Sequence, residues 1–250
     1  MAVRIVLMLV AMLMAGAVCA QARSDAAREK RWADQIVPNL VVGDAVYLRL
    51  PDGTNFLAIY APAAKPRAAV LLAHGPGLHP DHGIVGELRM RLVERGYTTL
   101  SLQMPVLEAG DEAGPAYREL FPEAAQRIAA GARHVLDRGH ARFAIVSHAM
   151  GSGMTYEYLR RNRSAPVAAW IALSFYGVFE EIARAAYPVF DLYGESDYRG
   201  IRGPAGERRR VLDTVPGSRQ LAVSTGGRFL AGGEAAILRE VPAFLDDALK

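Results

Sequence analysis

From Ala68 to the C terminus, short and nearly unbroken apolar runs alternate with stretches whose apolar residues recur at helical spacing. The runs Ala68 to Ala73, Thr98 to Gln103, Phe143 to Val146, Val167 to Phe175, Val189 to Tyr193 and a last one near Gln220 to Val223 predict strands. Gly83 to Arg95, Ala116 to Arg138, Gly151 to Arg161 and Glu234 to Leu249 predict the helices between and after them. Upstream, Ala45 to Leu50 and Phe56 to Tyr60 flank Pro51-Asp52-Gly53-Thr54, the pattern of a β-hairpin closed by a tight turn. A strand joined to a helix and then to another strand forces parallel pairing, and strands that are apolar throughout suit a sheet covered on both faces. The expected fold is α/β: a doubly wound, mostly parallel sheet with helices on both faces, an N-terminal hairpin and no inserted lid. Ligands of such sheets sit at the carboxyl ends of the strands, so the loops there are where chemistry is sought.

The beginning of the chain has another character. Arg4 precedes an almost continuous hydrocarbon stretch, Ile5 to Ala15, and small residues follow in Ala17-Val18-Cys19-Ala20-Gln21-Ala22. This is the pattern of a signal peptide over residues 1–22, with cleavage after Ala20 or after Ala22 satisfying the small-residue rule. It predicts export across the inner membrane into the periplasm and no membrane span in the mature chain, because the apolar stretch is short for a permanent helix. An uncleaved anchor is the rival reading. Lipidation of Cys19 is disfavoured by bulky Val18 before it. Residues 23–40 are polar and helix-tolerant and predict an N-terminal arm, leaving 41–250 as one domain.

Composition narrows the classes further. Of the 250 residues 51% are apolar and 22% charged, which suits a packed globular domain. Cys19 is the only cysteine, so the mature chain has no disulfide and no thiolate metal site. The formal charge of +3 is small, and Arg208-Arg209-Arg210 after Glu207 fits a solvated helix face, so neither nucleic acid nor a membrane is called for. Gly75 to Gly77 and Gly151 to Gly153 lack the spacing of dinucleotide or triphosphate loops, and no cofactor is expected.

Strand Phe143 to Val146 runs into Ser147-His148-Ala149-Met150-Gly151-Ser152-Gly153 and a helix. This resembles the nucleophile elbow of α/β-hydrolases, in which Gly-x-Ser-x-Gly lifts a serine oxygen above the sheet. Here the apex is Ala149. The resemblance extends to His74-Gly75-Pro76-Gly77, where the family keeps an oxyanion loop; Pro76 stands where a backbone amide is commonly supplied and has no N–H. Tyr187 to Asp197 resembles the strand and turn that carry the triad acid, placing Asp197 at the acid position. Thr225-Gly226-Gly227-Arg228-Phe229 resembles the segment of the catalytic base, with Arg228 where a histidine belongs and unable to accept a proton at neutral pH. His79-Pro80-Asp81-His82, Tyr97 to Pro105 and Asp191-Leu192-Tyr193-Gly194 are similar to a family of secreted bacterial α/β-hydrolase-like proteins whose function is not established. The resemblance runs from about Val70 to the C terminus.

What this implies is a triad altered at nucleophile, base and one oxyanion donor, and a triad works as a unit. The expected crevice is formed by His74, Gly75, Pro76, His148, Ala149, Met150, Asp197 and Arg228, and Arg228 points to a small anionic or ester-like ligand unless it pairs with Asp197. The first reading is therefore a ligand-binding or accessory protein of the cell envelope without serine-hydrolase activity. An esterase-like hydrolase is the alternative, working through a displaced serine such as Ser147 or through a metal site built from His79, His82 and His148. Ser147 and Ser152 also fit packing positions. An interaction protein without a ligand is the third reading, and helix Ala116 to Arg138 is a candidate cover for the crevice.

Overall fold

A computed structural model of the chain describes residues 23–110, 115–225 and 229–250, so the expected signal segment and Arg228 lie outside the described residues. Eight strands form one sheet in the order β1-β2-β4-β3-β5-β6-β7-β8. The hairpin strands β1 (Asp44–Arg49) and β2 (Asn55–Ala61) pair antiparallel, as do β2 and β4 (Thr98–Leu102). Strands β3 (Ala69–Ala73), β5 (Phe143–His148), β6 (Val167–Leu173), β7 (Val189–Gly194) and β8 (Arg219–Val223) run parallel. From β3 the chain steps outward to β4 and then returns past β3 to β5, so the loops after β3 and β5 leave in opposite directions and open a crevice between them.

The apolar strands are explained by two cores. Ala69, Leu71 and Ala73 of β3 face one side with Phe143 and Ile145 of β5; Val70 and Leu72 face the other with Ala144 and Val146. Helices α3 (Phe121–Leu136) and α4 (Met150–Arg161) cover the first side, and α2 (Gly83–Glu94) and α7 (Glu234–Ala248) the second. A period of two, buried on both faces, therefore shows in the sequence as continuous hydrocarbon.

Several boundaries differ from expectation for local reasons. The long helix predicted over Ala116 to Arg138 is a 3-10 turn (Pro115–Leu120) followed by α3, which begins where Pro122 fits the first helical turn. Strand β6 stops at Leu173, because Ser174 turns the backbone to φ 52°. Within the expected N-terminal arm, Ala26–Ile36 forms helix α1, capped by Asp25, whose side chain accepts the Arg28 N–H at 2.9 Å. Its Glu29 meets buried Arg127, which also pairs with Glu123 and donates to the Gln103 carbonyl at 2.8 Å.

The solvated arginine face is corrected in the same way. Between β7 and β8 lie α5 (Arg199–Arg202) and α6 (Ala205–Leu212), whose buried residues Ala205, Arg208 and Leu212 share one side. Arg209 and Arg210 are exposed, but Arg208 is fully buried and donates from Nε to Asp191 at 2.7 Å and from Nη1 to the Ile201 carbonyl at 2.8 Å. Between β6 and β7 the described chain carries only a 3-10 turn, Ile182–Arg184. No helix among the described residues is long and apolar enough to cross a membrane.

Candidate functional site

Register brings the expected residues together. Ala73 pairs with Ser147 across β3 and β5, so His74 and His148 emerge side by side at the strand ends and the chain turns at Ala149 into α4. Ala149 has φ 52° and ψ −118°, a conformation L-residues adopt only under constraint, at roughly 1–3 kcal/mol. The constraint is visible: its N–H donates to the Leu173 carbonyl at 2.8 Å, and its own carbonyl accepts from Ser152 at 3.0 Å. Gly151 permits the helix to start this close to β3, since a Cβ there would lie 2.3 Å from the His74 carbonyl oxygen. The elbow is thus built in full around a methyl group that is 4% exposed.

The serines beside the apex are committed elsewhere. Ser147 Oγ accepts from Trp170 Nε1 at 2.8 Å and donates to the Ile171 carbonyl, and Ser152 Oγ donates to the Leu173 carbonyl. Both residues are fully buried, and neither hydroxyl reaches the crevice.

Both crevice histidines are neutral and fixed in tautomer. His74 Nε2 accepts the Met104 N–H at 2.9 Å, so Nδ1 carries the proton and donates to the Gly75 carbonyl at 2.8 Å. His148 Nε2 lies 3.2 Å from the Phe229 carbonyl and donates to it. Burial lowers His74 to a pKa of about 3 and His148 to about 4, so neither is poised as a base at neutral pH. Burial also lowers His79, whose ring meets His82 edge-on with centroids 5.3 Å apart and lies 5.8 Å from Trp32 of α1. With His148 turned to Phe229, the three candidate metal ligands do not converge. No group of three His, Cys, Asp or Glu among the described residues is placed to hold a metal ion.

The oxyanion side is more depleted than the sequence discloses. Pro76 has no N–H, and the Gly77 N–H donates to the Tyr117 hydroxyl at 2.9 Å. Tyr117 belongs to the 3-10 turn at the start of the segment expected to cover the crevice, so that cover is in part realised. The Met150 N–H at the start of α4 is the remaining amide at the apex.

Asp197 occupies the acid position and is 2% exposed. Its carboxylate accepts the Gly194 N–H at 2.9 Å, the Ser174 hydroxyl at 2.7 Å and the Phe229 N–H. Three structural donors hold it in place, two on Oδ2 and one on Oδ1, and Arg202 Nε donates to its carbonyl at 2.7 Å. Residue 229 is therefore gripped from two sides, by Asp197 at its N–H and His148 at its C=O. Arg228, the preceding residue, and its expected pairing with Asp197 lie outside the described residues. Ser174, Tyr117 and Phe229 shape the crevice and were not singled out from the sequence. Ser174 alone carried a signal, as the first polar residue after the apolar run of β6, at the strand end where sites gather.

No family model and no curated protein matches the chain. Solved structures do. The esterase Est1E from Butyrivibrio proteoclasticus is similar with a TM-score of 0.65 and 12% identity over 82% of this chain and 98% of its own. The esterase Pf2001 from Pyrococcus furiosus gives 0.64 and 10% over 83% and 93%. An alpha-beta serine hydrolase homologue from Coxiella burnetii gives 0.59 and 16% over 81% and 97%. The chain has the α/β-hydrolase fold. At these identities the likeness speaks for fold and not for activity.

Proposed function

We propose that this chain is an exported α/β-hydrolase-fold protein that performs no serine hydrolysis and uses the crevice at Ala149 to hold a small anionic or ester-like ligand, as an accessory protein of the cell envelope. The observation that carries this reading is the alanine at a fully formed elbow. The strained turn, its backbone hydrogen bonds and Gly151 are all kept, while the one atom that would attack is missing. The rest of the apparatus agrees: Asp197 is tied to three structural donors, the Gly77 amide is taken by Tyr117, and His148 is held neutral with its proton committed to Phe229. The anionic preference rests on Arg228 in the sequence, at the position where a neutral base would stand. Export rests on the leader-like pattern of residues 1–22.

The test uses the full chain expressed in a bacterium. Mass spectrometry of the periplasmic fraction should find a mature form beginning at Gln21 or Arg23. That form should leave p-nitrophenyl acetate and butyrate at the buffer rate, with or without zinc. Turnover by the unmodified protein would overturn the non-hydrolytic reading, and an unprocessed cytoplasmic product would overturn export.

A further inference from the structure

Helix α4 starts at the crevice and runs away from it, and its far half closes a second space at the other end of the sheet. There the residues leading into β6 and β7 meet α4 around a cavity of about 200 Å³. That is room for about seven water molecules at roughly 30 Å³ each, and it limits an occupant to a small one. The floor is apolar, with Leu159 of α4, Val167 at the start of β6 and Ile182 of the 3-10 turn. One wall is fixed: Tyr156 stacks on Trp170 at 6.3 Å and 23°, and its hydroxyl accepts the Glu181 N–H at 3.0 Å.

The rim has the opposite character. Arg160, Arg163 and Arg184 line it against a single carboxylate, Glu181, which is already paired with Arg163. Arg160 is held by Glu157 of its own helix at 3.0 Å. Arg184 makes no side-chain hydrogen bond or ion pair among the described residues, and neither does the phenol of Tyr187, which lines the same space. A guanidinium and a hydroxyl without partners, beside an apolar floor and under a net positive rim, are complementary to one kind of molecule: an anionic head on a short apolar body.

We propose that this cavity is a second ligand site, separate from the Ala149 crevice, taking a small amphiphilic carboxylate whose body of about seven carbons fills the floor while its carboxylate meets Arg184 and Tyr187. The occupant is recognised by shape and charge, and no bond is made or broken.

The experiment is calorimetric titration of the full chain with octanoate and 4-methylbenzoate, each beside its uncharged amide. The carboxylates should bind with Kd of roughly 0.1–1 mM and the amides about tenfold more weakly. Arg184→Ala changes an exposed residue and should remove the difference between acid and amide. Ala165→Trp, which puts an indole into the cavity, should abolish binding of all four. Arg228→Ala, at the position the sequence assigns to the crevice, should change nothing. Equal affinity for acid and amide, no heat at about 10 mM, or acid binding untouched by Arg184→Ala would overturn the proposal. Loss of binding in Arg228→Ala would move the ligand to the crevice and overturn it equally. If Ala165→Trp does not fold, the Arg184→Ala comparison decides alone.

Discussion

His148 shows how a single side chain at the crevice ties stability to pH. Burial holds its pKa at about 4 in the folded chain, against 6.5 for the ordinary group. Above pH 6.5 the imidazole is neutral in both states and contributes no pH dependence. As the pH falls below 6.5, the unfolded chain takes up a proton that the folded chain refuses. Stability then drops by up to about 1.4 kcal/mol per pH unit until the folded pKa is passed. His74 follows the same sign down to about 3. His148→Gln keeps a donor for the Phe229 carbonyl and removes the titration, so urea unfolding at pH 7 and pH 5 should show a smaller acid loss than wild type, by about 2 kcal/mol. An unchanged pH dependence would show that His148 titrates normally. The apex itself makes a second prediction at this scale. Ala149→Ser restores the missing oxygen, yet the buried neutral His148, the proline at 76 and an Asp197 tied to three structural donors remain. The variant should therefore stay at the buffer rate with p-nitrophenyl acetate, and measurable turnover would mean that the crevice has kept a usable base.

At the scale of elements, the α/β alternation was legible because nothing local competes with it: strands β3 to β7 are buried on both faces, so their composition alone marks them. Helix α1 was less legible. Its first turn has an Asp cap and a Glu, but its attachment depends on Arg127, far along the chain in α3, and no periodicity within residues 23–40 reports a partner in another helix. Arg127 is 4% exposed and is flanked by Glu29 and Glu123, with Phe56 under its guanidinium at 5.0 Å. Burial raises the pKa of Glu29 even beside this arginine, so the pair is costly to bring together and costlier to split. Deleting residues 23–40 takes Glu29 away from a buried cation and also removes the Asp25 N–H bond to the Val106 carbonyl at 2.8 Å. The shortened chain should lose about 3 kcal/mol or more of stability in urea unfolding. A deletion that unfolds at the wild-type midpoint would mean that residues 23–40 add nothing to the stability of the domain.

Across the whole molecule, the sequence discloses where the crevice is but not what closes it. The elbow, the oxyanion loop and the acid turn are each local patterns, and the sheet order brings them together as any α/β sheet with this switch point would. Tyr117, Ser174 and Phe229 enter through contacts between segments far apart in the chain, which spacing does not encode. The same holds for Arg208, whose place in a run of three arginines hid its role. It reaches from α6 through the protein to Asp191 of β7 and to the Ile201 carbonyl, while Gln220 of β8 donates to the same carboxylate at 2.7 Å. Burial raises the pKa of Asp191 despite the arginine beside it, and one Asp191 oxygen and one Arg208 nitrogen have no hydrogen-bond partner among the described residues. A buried pair satisfied this incompletely contributes little net stability, yet removing one member strands the other. Asp191→Ala alone should therefore cost about 3–5 kcal/mol, whereas Asp191→Leu with Arg208→Met should cost far less than the sum of its single changes. The two single variants and the double variant, unfolded in urea, close the cycle. Additive losses would mean that the two charges do not sense each other, and that the Arg208 side of β7 is held by packing alone.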